Sequence, residues 1–336
     1  MEIIRKKAFA RAGLVGNPSD GYFGKTISAI VRNFYASVTL YEWDQLELVF
    51  SQEDRSRFRS LDELIQDVQQ HGYYGGIRLV KATVKKFAEF CRAAQIKLDR
   101  RNFSIRYDSN IPRQVGLAGS SAIIVATLRC LMEFYRVDIP RELQPSLALA
   151  VETDELGLAA GLQDRVVQVY EGLVYMDFAR ERMQSALGLE HGVYEPLDPA
   201  RLPPLYLAYH NAAGKPIQRV HNDLRLRFAR NEPDVVDAMR RFAGLTDQAH
   251  AALDANDADR FTQLIDANFD LRQAICEIAP LHGEMIRRAR AAGATAGFPG
   301  SGGAIVGGYR DEATFQRLRT ELTAVGAEVV KMQVLP

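Results

Sequence analysis

Apolar positions change their period several times along the chain, and each change marks an element. Up to residue 50 the runs AFARAGLVG, KTISAIVRNF and YASVTLYEWDQLELVF are short, apolar and dense in β-branched and aromatic residues, which predicts a β-rich opening. Residues 51–76 are polar and end in glycines, so a surface excursion with one short helix is expected there. In IRLVKATVKKFAEFCRAAQ the period lengthens, and Leu79, Val80, Val84, Phe87 and Cys91 share one side of a helix. FSIRYDSN reads as a strand. AIIVATLRCLMEFY has neither Gly nor Pro and reads as a buried helix. PSLALAVETDELGLAAG predicts a further helix that stops near Gly157 or Gly161, and GLVYMDF a strand.

A second region begins near residue 200. PPLYLAYH reads as a buried strand, and 234–292 is almost wholly helical in pattern. GATAGFPGSGGAIVGGY predicts two short strands around a Gly-rich turn, DEATFQRLRTELTAVG a helix and AEVVKMQVL a last strand. This order predicts an α+β protein with domains at 1–198 and 199–336.

Composition narrows the function classes. Of 336 residues, 47% are hydrophobic and 25% charged, the profile of a globular chain. Lys+Arg and Asp+Glu both number 42, so no net charge favours nucleic acid or an anionic membrane. The apolar stretch near 122–135 is broken by Arg129 and is too short to span a bilayer. The opening MEIIRKKAFA lacks the apolar core of a signal peptide. Cys91, Cys130 and Cys276 lie far apart in helical patterns, with no C-x-x-C pair, and the 6 histidines show no ligand spacing. A cytoplasmic protein is expected, with no metal beyond one that arrives with a nucleotide.

The chemistry concentrates in glycine-bearing loops. PRQVGLAGSSA (112–122) stands directly before the buried helix. A helix start has unpaired N–H groups and partial positive charge, so it can hold an anion. Gly116 and Gly119 let the backbone approach that anion, and Ser120 or Ser121 stands at the N-cap or in the first turn. An ordinary capped helix after a turn is the rival reading. FGKTIS has the ending of a Walker loop, but Ser19 occupies the place of its first glycine. In GFPGSGGAIVGG, Ile305 occupies the place of the last glycine of a dinucleotide fingerprint.

Taken together, ARAGLVGNPSDGYFG (10–24), PRQVGLAGSSA and FPGSGGAIVG (298–307) resemble, in order and spacing, the three motifs of the GHMP kinases, the superfamily of galactose, homoserine, mevalonate and phosphomevalonate kinases. The resemblance implies a ribosomal-protein-S5-like N-terminal domain, a ferredoxin-like C-terminal domain, and ATP between them. It implies that Gly116, Leu117, Ala118, Gly119, Ser120 and Ser121, with Gly300, Ser301, Gly302 and Gly303, bind the nucleotide. Ser121 and Glu152 match the family's Mg²⁺ ligands, and Asp164, with Arg11 as its partner, the catalytic pair. Asn17, Asp20, Tyr22 and Asp164 are expected at the substrate. On the residues alone, the favoured reading of Glu152 is an exposed helical glutamate, and the rival readings are a helix N-cap for Asp164 and a solvated strand charge for Arg11.

VETDELGLAAGLQDRVVQVYEGLVYMDF (151–178), GNPSDGYFGKTIS, LPPLYLAYH and NFDLRQ (268–273) look like the plant glucuronokinases within that superfamily. The implied activity is ATP- and Mg²⁺-dependent phosphorylation of D-glucuronate at its anomeric hydroxyl. Alternatives are another acceptor (galacturonate, a heptose phosphate or mevalonate) and a non-catalytic sugar or nucleotide sensor. A uronate site needs donors for a carboxylate, and Arg113, Lys25 and Tyr22 are the candidates by neighbourhood.

Overall fold

The computed structural model describes residues 3–49, 76–210 and 218–335, so the expected surface excursion, apart from Gly76, lies outside the described residues. In chain order the first part comprises β1 (Ile3–Val15), β2 (Lys25–Trp43), β3 (Glu47–Leu48), α1 (Gly76–Ala93), β4 (Asn102–Ser109), α2 (Gly119–Tyr135), α3 (Gln144–Ala150), α4 (Gln163–Tyr170) and β5 (Leu173–Asp177). A small hairpin, β6 (Gln184–Ala186) with β7 (Leu189–His191), leads to β8 (Val193–Leu197). The second part comprises β9 (Leu205–Tyr209), α5 (Gln218–Ala229), α6 (Pro233–Asp254), α7 (Ala258–Ile275), α8 (Pro280–Ala291), β10 (Ala304–Gly308), α9 (Glu312–Thr323) and β11 (Glu328–Lys331).

The expected α+β class holds. β1 runs antiparallel along one edge of β2, whose other edge is shared by β4 (Ala36–Trp43) and β5 (Lys25–Ala29). β8 and β3 complete this sheet of six strands. The two apolar runs KTISAIVRNF and YASVTLYEWDQLELVF join in one strand. Phe9 faces Tyr35 while Ala10 faces Val31, so the extra residues of β2 are absorbed in a bulge.

β9 is the centre of a second, three-stranded sheet in the order β10-β9-β11. Its side chains alternate with the strand period of two. Leu205, Leu207 and Tyr209 join the core that holds Val38, Phe103 and Leu128, while Tyr206 and Ala208 join a second core with Phe269, Met285 and Leu318. Burial on both faces is why PPLYLAYH reads as unbroken apolar sequence. α1 buries Leu79, Val80, Phe87 and Cys91 as its period predicts, with Val84 half-buried.

Two expectations change, at the hairpin and at Cys276, and one helix is new. The predicted hairpin at 293–309 keeps only β10 as a strand; Gly297 makes a single bridge to Val306, because the glycines before β10 turn away at positive φ. α5 had no strong pattern and was not expected. Cys276 follows α7 at its cap and is half-buried. As expected, the helix of PSLALAVETDELGLAAG stops near Gly157, at φ +63°, after continuing past α3 as a wider turn, Val151–Glu155. Among the described residues no helix is long and apolar enough to cross a membrane.

Candidate active site

The glycine segments 114–121 and 299–303 meet backbone to backbone. A Cβ added at Gly300 would lie 2.3 Å from the Gly116 carbonyl oxygen, and one at Gly116 (φ +74°) 2.8 Å from that of Gly302. Only residues without side chains allow this approach. Ala118, in the left-handed conformation at φ +61°, caps α2, so Gly119, Ser120 and Ser121 form the first turn and neither serine is the N-cap. Ser121 Oγ instead donates to the Ala118 carbonyl, 3.1 Å. Gln168 Nε2 donates to the same carbonyl and to that of Phe9, 3.0 Å each. Leu117 is buried and its carbonyl accepts from the Arg11 amide. Across the junction the Gly303 amide donates to His282 Nε2, 3.1 Å. His282 therefore accepts as a neutral ring, and burial, then Arg272, lower its pKa.

Arg11 joins both loops to a carboxylate. Its Nε donates to Asp164 Oδ1 at 2.6 Å, and its Nη1 to the carbonyls of Gly116 at 2.7 Å and Pro299 at 2.8 Å. It is 5% exposed, so the solvated-charge reading fails. Leu162 stands at the cap of α4 and Asp164 lies inside its first turn, so Asp164 is not an N-cap. The neighbouring Arg165 donates from Nη1 to the Gly161 carbonyl at 2.7 Å and stands 3.5 Å from Asp164 Oδ2. Its Nη2 is paired with Glu152, which is 4% exposed and not the surface glutamate its helical setting suggests. Burial, then Arg11, work against the charge of Arg165; the Glu152 carboxylate compensates. Beside Asp164, the buried Gln163 Oε1 and Arg165 Nε have no hydrogen-bond partner among the described residues.

The loop after β1 closes this group. Asp20 Oδ2 would meet a Cβ at Gly161 at 2.4 Å, which places the two segments in contact. Burial, then the negative charge of Asp164, push the Asp20 pKa up to about 6, against Arg11 and backbone donors at Gln163 and Gly21. Asn17 is buried, and the Tyr22 ring lies against that of Phe228, with centres 4.8 Å apart and planes tilted by 57°. Burial pushes Tyr22 up to about 12, so its phenol stays neutral. Two anchors on α7 were not singled out in the sequence. Asn268 Oδ1 accepts from the Gly16 amide at 2.7 Å while its Nδ2 donates to the Asn17 carbonyl at 3.1 Å. One turn later, Arg272 Nη1 donates to the Gly300 carbonyl at 2.8 Å. The i, i+4 spacing inside NFDLRQ was the available signal. Lys25 is not free for a substrate: its Nζ binds Asp247 at 3.0 Å. Arg113 is exposed.

Ser121 and Glu152 offer a hydroxyl and a carboxylate, the hard oxygen donors Mg²⁺ prefers. Among the described residues no group of three or more His, Cys, Asp or Glu side chains could hold an ion. Glu152 is held by Arg165 and Ser121 Oγ by the Ala118 carbonyl, so in this structure both oxygen donors are engaged within the protein.

Residues 78–172 match the family described as GHMP kinases N terminal domain. Glucuronokinase 1 of Arabidopsis thaliana is 43% identical over 312 residues, which cover 90% of this chain and 84% of that protein. The mevalonate kinase of Methanococcus jannaschii superposes with a TM-score of 0.72 at 16% identity, covering 100% of this chain and 99% of that one. The galactokinase of Lactococcus lactis, solved with galactose, superposes with a TM-score of 0.70 at 16% identity over 99% of this chain and 94% of that one. The two structures share the fold, and the plant relative is 43% identical over 90% of this chain, so the chain belongs to the GHMP kinase superfamily and, within it, to the glucuronokinase family.

Proposed function

We propose that this protein transfers the γ-phosphoryl group of ATP to the anomeric hydroxyl of D-glucuronate, giving glucuronate 1-phosphate and ADP. The observation that carries the reading is the Arg11–Asp164 pair, 2.6 Å, set where the two glycine loops meet. Phosphoryl transfer is mostly positioning and charge stabilisation, and both are supplied here by fixed groups. The α2 start and the loop 300–303 cradle the phosphates with bare backbone. Ser121 and Glu152 would hold Mg²⁺, whose chemistry is to neutralise developing phosphate charge. Asp164, fixed by Arg11 and flanked by Arg165, orients the acceptor hydroxyl and receives its proton as the oxygen bonds to phosphorus and the bond to ADP breaks. Asn17, Asp20 and Tyr22 face the sugar.

Residues 1–198 form the nucleotide domain in this reading and 199–336 the ferredoxin-like one; the end of β8 at Leu197, before a new sheet begins with β9, supports that boundary. The free thiols Cys91, Cys130 and Cys276 suit a reducing cytoplasm. The test is a coupled ADP-release screen over uronic acids, neutral hexoses and mevalonate, with ³¹P NMR of the product. Glucuronate is expected to exceed glucose by at least ~10²-fold in kcat/KM, with phosphate on the anomeric oxygen. Equal rates on both sugars, or phosphate elsewhere, would discard this acceptor.

A further inference from the structure

Arg11, Arg165 and Arg272 are all buried around the junction, and the first two have carboxylates: Asp164 and Glu152. Arg272 has none. It is 3% exposed, and among the described residues no carboxylate forms an ion pair with it. Nη1 is committed to the Gly300 carbonyl at 2.8 Å, and the guanidinium carbon lies 5.3 Å from the centre of the Phe298 ring. Nε and Nη2 donate to no described residue. A buried cation without a counter-ion is expensive, and burial opposes its charge. An anion that arrives with the substrate would remove that cost.

The surroundings say which substrate. Asn268, one turn before Arg272 on α7, holds the backbone of Gly16 and Asn17, so this face of α7 looks onto the loop of Asp20 and Tyr22. Asp20, Arg11 and Tyr22 are among the groups whose charge Arg272 feels. That corner otherwise presents the carboxylates of Asp20 and Asp164, which repel an acidic sugar. Of the other nearby cations, Arg11 is committed to Asp164 and Lys25 to Asp247, while Arg225, near Tyr22, is exposed and so less desolvated than Arg272. The Nε–Nη2 edge of a guanidinium matches a carboxylate with two parallel donors.

We propose that Arg272 binds the carboxylate of the acidic sugar through Nε and Nη2, and that it determines the preference for a uronate over a neutral analogue. This rests on the kinase reading above. The neutral amide glucuronamide has nearly the shape of glucuronate without its charge, so the ratio of their kcat/KM values isolates the carboxylate. The wild-type ratio is expected to be at least ~10². Arg272→Gln should bring it below ~5, with the loss in KM for glucuronate and a smaller change in KM for ATP. If circular dichroism shows that Arg272→Gln does not fold, Arg272→Lys keeps the charge but loses the two-donor edge, and should reduce the ratio ~10-fold. Wild-type protein inert towards glucuronate overturns the kinase reading and this inference with it. Active wild type with the ratio intact in the folded variant overturns the inference alone. So does an equal fall on both sugars, which would make Arg272 only a support for the 299–301 turn.

Discussion

The two sides of the junction are made of different material. On one side Arg11, Asp164, Arg165, Glu152, Asp20 and Arg272 crowd charged groups into a poorly hydrated volume. On the other, residues 114–116 and 300–303 meet with little but backbone between them. On the proposed reading the first side recognises by charge, and its members are balanced against one another, so a change that keeps volume and removes charge should be felt most. The second recognises by approach distance, so a single added methyl group should be felt most. In the proposed reaction, the difference separates the chemistry of the acceptor from the shape required for the phosphates.

The largest effect is expected from Asp164→Asn. It preserves volume but cannot take up a proton, and kcat should fall by roughly 10²–10⁴ while ATP binding persists. Steady-state kinetics together with titration of an ATP analogue would show this. Near wild-type turnover would reduce Asp164 to a helix-start residue and erase the contrast between the two sides.

Gly300→Ala probes the opposite side. Its Cβ would come within 2.3 Å of the Gly116 oxygen and 2.9 Å of Arg11 Nη1, so the loops must part. Displacement of about this size costs on the order of 10² in kcat/KM. KM for ATP should rise with it, whereas Asp164→Asn should leave that constant nearly unchanged. The same kinetic pattern in both variants would mean that the two sides act as one unit.

The smallest effect concerns pH. Asp20 titrates near 6 in the folded protein against an ordinary value of 3.8. The folded state binds this proton more tightly than the unfolded chain, so stability falls as pH rises from about 4 to 6, and the deficit persists above. Asp20→Asn removes the deficit. Relative to wild type it should gain about 1–3 kcal/mol between pH 4 and pH 7.5. Urea unfolding of both proteins at the two pH values would measure it. A difference that does not vary with pH would place Asp20 in an ordinary solvated setting.

Some of this site is legible in the sequence because it depends on neighbours in the chain. The small residues before an unbroken apolar helix mark the α2 start, and the unbroken apolar run of β9 marks a strand covered on both faces. Asp164 and Arg11 can be named because they sit within recognisable motifs. The cap of α2 is not legible. Ala118 takes the left-handed conformation, rare for alanine, and its carbonyl is engaged by Gln168, fifty residues on. Nor does a bulge in β2 leave a mark when both flanking runs already favour strand.

The sequence by itself determined the kinds of groups present: loops able to accept a close approach, serines at a helix start, acids and arginines in given segments. Only the tertiary structure decided the pairing. Arg11 finds partners 105, 153 and 288 residues away, Glu152 loses its expected exposure to Arg165, and Arg272 has no carboxylate partner among the described residues. The reason is physical. Helix and strand periods report which face of an element is apolar, a property of near neighbours. The partner of a buried charge is set by which distant elements pack together and by the low dielectric that makes an unpaired charge expensive there.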